Sequence, residues 1–439
     1  MDETSRRLLA LAVPTLGALL AQPTMVLIDT AMVGHLGPEA LAALAAGSTV
    51  VSTVVGLLIF LAYATTAAVA RAVGAERRAD AMRYSVEGLW FALFIGVLAA
   101  IGVWAGGPWI IRVLGTQSTV APLADGYLRA AAPGIVGMLV VYAATGALRG
   151  FSRVNVVLVV TVLGATANVI FNAILIYGLG WGVVGSGAGT ALAESCMAVA
   201  LTVILLRDWA AHGMARTQLR PSLAGFRRVG AGGWPLFVRT LAMRVALLLT
   251  LWAATSLGVI ALSAHQIVLS SWFWLANALD AIAIAAQTLI GESLGAGRRD
   301  ETRQLLHRCV RWGSGVGVGL GVLIALLSPI LPRLFVTDAD ARRMAMFAFL
   351  VAASALPLAG LVCVLDGVLI GAGDGVYLAW TSVVNLAVYL PPLLLVGWYG
   401  HGQSGLLWLW LAYAWIYFGA RGLTLWLRSR DERWMTVTE

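Results

Sequence analysis

The sequence predicts an all-α integral membrane protein with twelve transmembrane helices in two lobes of six. Hydrophobic residues make up 60% of the 439 residues and charged residues only 11%, which leaves too little polar material to cover a soluble globule. The apolar residues fall into about twelve stretches, each near the length of about 20 residues that a membrane-spanning helix requires. The chain also aligns with itself at a fixed shift, which indicates a duplicated six-helix unit.

Each stretch is predicted to be a helix rather than a barrel strand, because runs such as 154–179 stay apolar over several turns, whereas barrel strands alternate. The first stretch follows Arg6 and Arg7 and lacks a small-residue cleavage site, so we predict a retained first helix and not a signal peptide. The predicted segments begin near Leu8, Leu41, Tyr84, Pro122, Val154, Gly185, Gly232, Leu262, Trp312, Ala341, Val376 and Ser404.

An internal repeat relates the two halves. A shift of 221 positions sets Pro14 on Pro235 and the pair Gly74-Ala75 on Gly295-Ala296. Because six crossings return the chain to its starting side, both halves begin on the same side of the membrane and form parallel repeats. Duplication of this kind is typical of transporters, in which alternating access of two lobes moves a substrate across the membrane.

The repeat and the loop composition predict the domain boundaries. The expected parts are an amino-terminal lobe at 1–206, a cytoplasmic linker at 207–230, a carboxyl-terminal lobe at 231–427 and a cytoplasmic tail at 428–439. The linker is polar and rich in arginine, and Pro221 interrupts any helix that would continue through it.

Arginines are distributed unevenly between the two sides of the membrane. The loops on the side of the amino terminus carry most of them, and the opposite loops hold only Arg112, Arg333, Arg342 and Arg343. The positive-inside rule therefore predicts a multi-pass protein of the inner or plasma membrane with both termini in the cytoplasm. Anionic lipid headgroups account for the net charge of +8, so we expect lipid partners and no nucleic-acid partner. We also expect the protein to be a monomer.

Asp29 is the main candidate functional residue, because it is a carboxylate late in the first apolar stretch. An ionisable group at membrane depth costs roughly 2.5–3.5 kcal/mol on insertion scales and is retained mostly where it faces a cavity or carries function. Burial favours the neutral form of a carboxylate, so Asp29 is a candidate for reversible protonation. The alternative is a residue that caps or locks the helix end through Thr30 or loop amides.

Further polar residues of the amino-terminal half share helical faces. Asn168 and Asn172 lie one turn apart, and so do Thr190 and Glu194. The alternative role for such groups is hydrogen bonding between helices, worth about 0.6 kcal/mol per contact. The predicted lining of a substrate cavity comprises Gln22, Met25, Met32, Tyr142, Thr145, Asn168, Asn172, Thr190 and Glu194.

The carboxyl-terminal half contains Asp280, Asp366 and Arg239 as polar candidates. Internal ion pairing is favoured over a transport role for them, because a buried arginine and a buried aspartate neutralise each other. The repeat partner of Asp29 is Thr250, so the proton site is expected only in the amino-terminal half.

Other classes of site are not supported by the residues. The five histidines form no cluster with metal-ligand spacing, and no nucleophile, base and orienting group can be assembled. The stretch Gly185–Gly189 lacks the strand and lysine of a nucleotide loop. We therefore predict a protein that is not an enzyme and has no metal and no cofactor.

Several stretches resemble the multidrug and toxic compound extrusion (MATE) family of the MOP superfamily, and within it the DinF-like branch. Nearly the whole chain takes part in the resemblance, and the first and last stretches are the most specific for the branch. The stretches are Ile28-Asp29-Thr30-Ala31-Met32-Val33-Gly34-His35-Leu36, then 72–75, 146–150, 168–178 and 189–194, and Leu365-Asp366-Gly367-Val368-Leu369-Ile370-Gly371-Ala372.

The resemblance implies a V-shaped pair of six-helix lobes that exports amphipathic, usually cationic, organic compounds against an inward flow of H⁺ or Na⁺. It also implies that Asp29 is the coupling acid and that Pro14 is the point at which the first helix bends. The chain departs from many relatives at Asn172, where they carry a second acid, and it lacks the acid that some have in the seventh segment. These differences favour H⁺ as the coupling ion and leave Na⁺ possible.

Three alternatives accompany this interpretation. A lipid-linked precursor flippase of the same superfamily would show the same duplication, but more cationic residues than Arg239 and Arg244 would be expected in its cavity. A major-facilitator antiporter also has two sets of six helices, yet the loop after the second segment, 71–78, lacks that family's usual motif. A membrane-embedded enzyme would need a catalytic constellation that the sequence does not provide.

Overall fold

The computed structural model describes residues 3–113, 115, 117–211 and 219–435, and no strand occurs among them. The all-α prediction is therefore confirmed. The helices are α1 (Glu3–Gly34), α2 (Pro38–Leu57), α3 (Phe60–Gly74), α4 (Arg78–Val113), α5 (Ala121–Gly150), α6 (Val154–Asn172), α7 (Gly182–Ala211), α8 (Leu223–Ser256), α9 (Val259–Gly295), α10 (Arg299–Leu327), α11 (Leu331–Phe335), α12 (Ala339–Ala372), α13 (Gly375–Tyr399), α14 (Gly402–Leu411) and α15 (Phe418–Arg430).

Within these residues, eleven helical runs are long and apolar enough to cross a membrane. The short α2 and α3 form one run, and α6 continues into a π-helical segment, Ala173–Gly178. The twelfth predicted segment corresponds to α14 and α15, which are joined by a second π-helical segment, Ala412–Tyr417. This last run is rich in tryptophan and tyrosine, which lowers its hydropathy relative to the other eleven.

The internal repeat is visible in the backbone of the turns that precede α2 and α9. Gly37 and Gly258, which the shift of 221 aligns, have φ of 113° and 98° just before these helices. Residues with side chains rarely adopt positive φ, so glycine is needed at both positions. The two halves therefore share a turn geometry as well as a sequence pattern.

The chain packs as two compact units. One is Gly17–Gly233, and the other combines Met1–Leu16 with Trp234–Glu439. The helices α1 and α8 each begin in one unit and end in the other. Each change of unit occurs within three residues of a repeat-related proline, Pro14 in α1 and Pro235 in α8, and both helices continue through it.

The predicted lobe boundaries, 1–206 and 231–427, stay predictions, as does the role of Pro14 as the bend of α1. Residues 212–218 of the predicted linker and 436–439 of the predicted tail lie outside the described residues.

Each unit is built around one deeply buried helix. In the unit Gly17–Gly233, α5 packs against α2, α3, α4 and α7, and in the other unit α12 packs against α9 and α10. Small residues permit the close approaches: a Cβ at Gly137 of α5 would lie 2.9 Å from the backbone carbon of Glu194 on α7. This packing fixes the position of α7, which carries part of the candidate site.

Candidate functional site

Asp29 lies on α1 with its side chain buried and only 7% of the residue exposed. Asn172, at the end of α6, donates from Nδ2 to Asp29 Oδ1 at 2.6 Å. Thr190, on α7, donates its hydroxyl to Asp29 Oδ2 at 3.5 Å. The structure therefore joins three residues that the sequence predicted separately, from three helices of one unit. We call Asp29, Asn168, Asn172 and Thr190 the Asp29 site.

The hydrogen bonds of the Asp29 site form a network in which the carboxylate of Asp29 is the final acceptor. Asn168 donates to the Thr190 hydroxyl at 3.1 Å, and Thr190 in turn donates to Asp29. Asn172 also donates to Asn168 Oδ1 at 3.3 Å. Because a carboxylate that receives donors on both oxygens acts only as an acceptor, this arrangement fits the ionised form of Asp29.

One acceptor of the Asp29 site is left without a partner. Asn172 Oδ1 is buried and makes no hydrogen bond with any described residue. It faces Gly189 of α7, where an added Cβ would overlap it. The missing side chain at Gly189 therefore allows the Asn172 amide to sit between α7 and Asp29, with its oxygen packed against α7.

The other predicted cavity residues of this unit surround the Asp29 site to different degrees. Glu194 is buried on α7 and is hydrogen-bonded to the side chain of Gln22, which is otherwise exposed. Met25 is buried, and the backbone carbonyl of Met32 accepts a hydrogen bond from the Tyr177 hydroxyl at 2.6 Å. The remaining two lie on α5, with Tyr142 half-buried and Thr145 buried.

The position of the second unit that corresponds to Asp29 carries no charge. Thr250 is buried on α8 and lies 2.7 Å from the hydroxyl of Tyr389, oxygen to oxygen. Tyr389 is aligned by the repeat with Asn168, which is linked to Asp29 through the Thr190 hydroxyl, so polar residues occupy equivalent positions in both halves. A hydroxyl pair cannot hold a proton as a carboxylate does, which makes the Asp29 site specific to one half of the chain.

The second unit contains a buried aspartate, Asp366, whose partners are cationic. Asp366 on α12 accepts from Arg239 Nε at 3.0 Å and also pairs with Arg239 Nη2. Arg421 of α15 lies 3.6 Å away, from Nη2 to Asp366 Oδ2. All three residues are less than 10% exposed, and we call them the Asp366 cluster. The third candidate of this half, Asp280, is half-buried on α9 and hydrogen-bonded to Cys363.

Sequence reasoning missed two residues of these sites. Arg421 is a charged residue inside the last apolar segment, so the criterion that selected Asp29 would also have selected it. Tyr127 of α5 is buried and close enough to interact electrostatically with Asp29. Nothing in the spacing along the chain could have indicated Tyr127, because its proximity depends on how α5 packs.

The described residues contain no group of three or more His, Cys, Asp or Glu side chains that could hold a metal ion. The chemistry available at the Asp29 site is therefore that of one carboxylate surrounded by neutral amides and hydroxyls. Such a site can exchange a proton or attract a cation.

The MatE family model matches two parts of the chain, residues 14–174 and 235–394. The matches begin at Pro14 and Pro235, the pair that the internal repeat aligns. Protein DETOXIFICATION 44, chloroplastic, of Arabidopsis thaliana is 30% identical over 395 residues, which cover 86% of this chain and 74% of the relative. Probable multidrug resistance protein NorM of Pseudomonas aeruginosa is 30% identical over 334 residues, 73% of this chain and 65% of NorM.

Solved structures show the same fold. A MOP superfamily transporter from Pyrococcus furiosus superposes with a TM-score of 0.88 at 20% identity, covering 98% of this chain and 96% of the other. A mutant of the Vibrio cholerae MATE transporter VcmN gives a TM-score of 0.89 at 20% identity, with 98% of each chain covered. Similarity at this level of identity establishes the fold, and the predicted fold class is confirmed.

Proposed function

Because the chain belongs to the MatE family, whose members are transporters and not enzymes, we propose that it is an antiporter that exports amphipathic, mainly cationic organic compounds in exchange for protons. The names of its relatives, a detoxification protein and a multidrug resistance protein, support the substrate class. Alternating access of the two six-helix lobes is the proposed transport mechanism.

The observation that carries the proton coupling is the pattern of donors around Asp29. Its carboxylate receives hydrogen bonds from Asn172 and Thr190, and the side chains that contact it are neutral. No arginine is paired with Asp29 in the described part of the chain, whereas the buried aspartate of the second unit, Asp366, has two. Without a fixed positive partner, the charge of Asp29 is free to be neutralised by a proton.

Protonation would change the hydrogen bonds of the site in a defined way. A protonated Asp29 must donate its O–H, and the amide of Asn172 presents an N–H at present. Rotation of that amide would bring Asn172 Oδ1, the acceptor that lacks a partner, toward Asp29. Loss of a proton would reverse the rotation, so the end of α6 responds to the charge of α1.

Substrate and proton would compete for the negative charge of Asp29. We propose that a cation enters a cavity lined by Gln22, Met25, Tyr142 and Thr145 while Asp29 is ionised, and leaves when a proton from outside neutralises Asp29. Methionine and aromatic walls suit varied amphipathic ligands because they repack around different shapes. Deprotonation of Asp29 toward the cytoplasm would then reset the site.

The coupling ion is proposed to be H⁺ rather than Na⁺. A proton needs one basic oxygen, which Asp29 provides, whereas a sodium ion needs a shell of several oxygen ligands. Asn172 stands where many relatives have a second acid, and an amide oxygen attracts Na⁺ less strongly than a carboxylate does.

Transport in proteoliposomes under separately imposed gradients tests the proposal. We expect a pH gradient to drive accumulation of a fluorescent cationic dye and a sodium gradient at equal pH to have little effect. The variant Asp29→Asn keeps the shape of the side chain but cannot bind a proton reversibly, so it should lose at least 90% of the pH-driven transport.

The matched control is Glu39→Gln, which removes an exposed carboxylate at the start of α2 in the same half. It should transport as the unmodified protein does. Full pH-driven transport by a correctly inserted Asp29→Asn protein would refute the role of Asp29. Transport driven by the sodium gradient alone would refute proton coupling and leave the substrate class standing.

A further inference from the structure

A cavity of about 430 Å³ lies beside the first turns of α1 and the middle of α10, away from the Asp29 site. Six of the described residues line it, and all six belong to one compact unit. They are Ser5, Arg308, Arg311, Trp312, Gly315 and Val316. We propose that this cavity binds the phosphate group of an anionic lipid headgroup from the adjoining leaflet.

The charge of the lining favours an anion. Two of the six residues are arginines one helical turn apart, and none of these described lining residues is an aspartate or glutamate. Arg308 is half-buried and has an interaction of its own within the protein, whereas Arg311 is exposed, so the guanidinium of Arg311 is accessible to a ligand. Guanidinium groups match the geometry of phosphate oxygens, which they bind through two parallel hydrogen bonds.

The position of the cavity along α10 favours a lipid as the source of the phosphate. Arg311 is the last charged residue before the uncharged run 312–327, which spans about 24 Å at 1.5 Å per residue. The cavity therefore lies at the end of the apolar part of the helix, where headgroups meet the acyl chains. Basic pockets between membrane helices are places where anionic headgroups bind.

The shape of the cavity also fits a lipid. The Trp312 indole donates to the Ser5 hydroxyl at 3.1 Å, which holds the aromatic wall between α1 and α10. Tryptophan is enriched at the membrane interface because its ring is apolar and its N–H is polar. Gly315 is exposed, and a Cβ added there would meet no atom within 4 Å. Beyond the arginines, the site is open to an acyl chain.

The test uses the full-length protein in nanodiscs, with phosphatidylglycerol and phosphatidylcholine as probes. Native mass spectrometry would count the lipids that remain bound. We expect phosphatidylglycerol to be retained in preference to phosphatidylcholine. Arg311→Gln should weaken that preference about fivefold, the change expected for one basic residue at an anionic surface. Gly315→Leu should weaken it by filling the cavity without altering charge.

Two matched controls separate the cavity from general effects. Gly319→Leu adds the same side chain one turn deeper on α10, where a Cβ also meets nothing, and should leave lipid retention unchanged. Arg299→Gln removes an exposed arginine from the start of the same helix and should also have no effect.

Three results would overturn the proposal. An equal loss in Arg299→Gln and Arg311→Gln would mean that diffuse surface charge attracts the lipid. Undiminished retention in Gly315→Leu would place the lipid elsewhere. Stabilisation against heat by inorganic phosphate in phosphatidylcholine nanodiscs, abolished by Arg311→Gln, together with no preference for phosphatidylglycerol, would identify a soluble phosphate as the ligand.

Discussion

At the scale of single residues, two aspartates in the described part of the chain are buried, and their surroundings are opposite. Asp29 accepts hydrogen bonds from an amide and a hydroxyl, whereas Asp366 is held by two guanidinium groups. A neutral donor leaves the carboxylate able to exchange its proton, and a nearby arginine fixes it in the charged state. The two acids therefore differ in their surroundings, and hence in the roles that we propose for them, for a reason that their own positions in the chain do not reveal.

The Asp366 cluster predicts which substitution in it should lower the stability of the protein most. Asp366→Asn leaves Arg239 and Arg421 buried together without their shared acid, and we expect a loss of about 3–5 kcal/mol. Arg239→Gln should cost less, because Asp366 keeps Arg421 as a partner. Thermal denaturation in detergent measures both. The control Glu432→Gln breaks an exposed pair with Arg303, and its effect should be below about 1 kcal/mol.

If Arg239→Gln lowered the stability as much as Asp366→Asn or more, Arg421 would not compensate the charge of Asp366. In that case the cluster would act as a single pair, and Arg421 would be stabilised mainly by its contacts with the rings of Tyr417 and Phe418, whose centroids lie 5.8 and 5.5 Å from its guanidinium carbon.

The residues of the Asp29 site were largely predictable from the sequence. Asp29 was selected by its charge in an apolar stretch, and Asn168, Asn172 and Thr190 by their helical spacing. Periodicity shows which residues share one face of a helix, but it does not show which face meets which. The hydrogen bond from Asn172 to Asp29 spans 143 positions in the chain, and only the packing of three helices determines it.

At the scale of elements, the close approach of α6 and α7 positions the amide of Asn172. Gly189 of α7 lies directly against Asn172 Oδ1, and the backbone nitrogen of Asn172 is only 3.1 Å from where a Cβ would stand. Neither helix can accommodate a larger residue there without moving. The geometry of the Asp29 site therefore depends on a residue that has no side chain.

Gly189→Ala should disturb the site for this reason. We expect the added methyl group to displace the Asn172 amide from Asp29, to lower stability by about 1–3 kcal/mol through overpacking and to reduce pH-driven dye transport several-fold. The measurements are thermal denaturation and proteoliposome transport.

Gly102→Ala on α4 is the control, because a Cβ there meets nothing within 4 Å and alanine favours the helix. Unchanged transport by Gly189→Ala would mean that the Asn172 amide has no role in coupling.

The π-helical segments are a feature that the helix propensity of the residues does not predict. The run Val154–Gly178 reads as one apolar helix, yet its last turn widens at Ala173–Gly178, directly after Asn172. A wider turn of this kind is often found at functional sites. Here it carries Tyr177, which donates to the backbone of α1. Nothing in the composition of the segment distinguishes this turn from the rest of the apolar run.

At the scale of the whole molecule, the number of crossings determines where the termini lie. Eleven described helical runs and the run α14–α15 give an even number of crossings, so both ends should be on one side of the membrane. The distribution of arginines predicts that this side is the cytoplasm.

Labelling of single cysteines tests this orientation. With Cys196, Cys309 and Cys363 replaced by alanine, a cysteine at Gln117, between α4 and α5, should react with a membrane-impermeant maleimide added to intact cells. A cysteine at Glu432, after α15, should react only after the membrane is opened. The opposite pattern would reverse the orientation, and labelling of both positions would contradict the even number of crossings.

The sequence by itself predicted the helical fold, the apolar segments, the duplication and the candidate coupling acid, because hydrophobic length and period are local properties of a chain. The tertiary structure decided which buried acid has neutral donors and which has arginines. It also decided that α1 and α8 each belong to both compact units, and that Gly189 sets the distance between α6 and α7. These features depend on contacts between residues far apart in sequence, where close packing of backbone and small side chains chooses one arrangement among many with the same pattern.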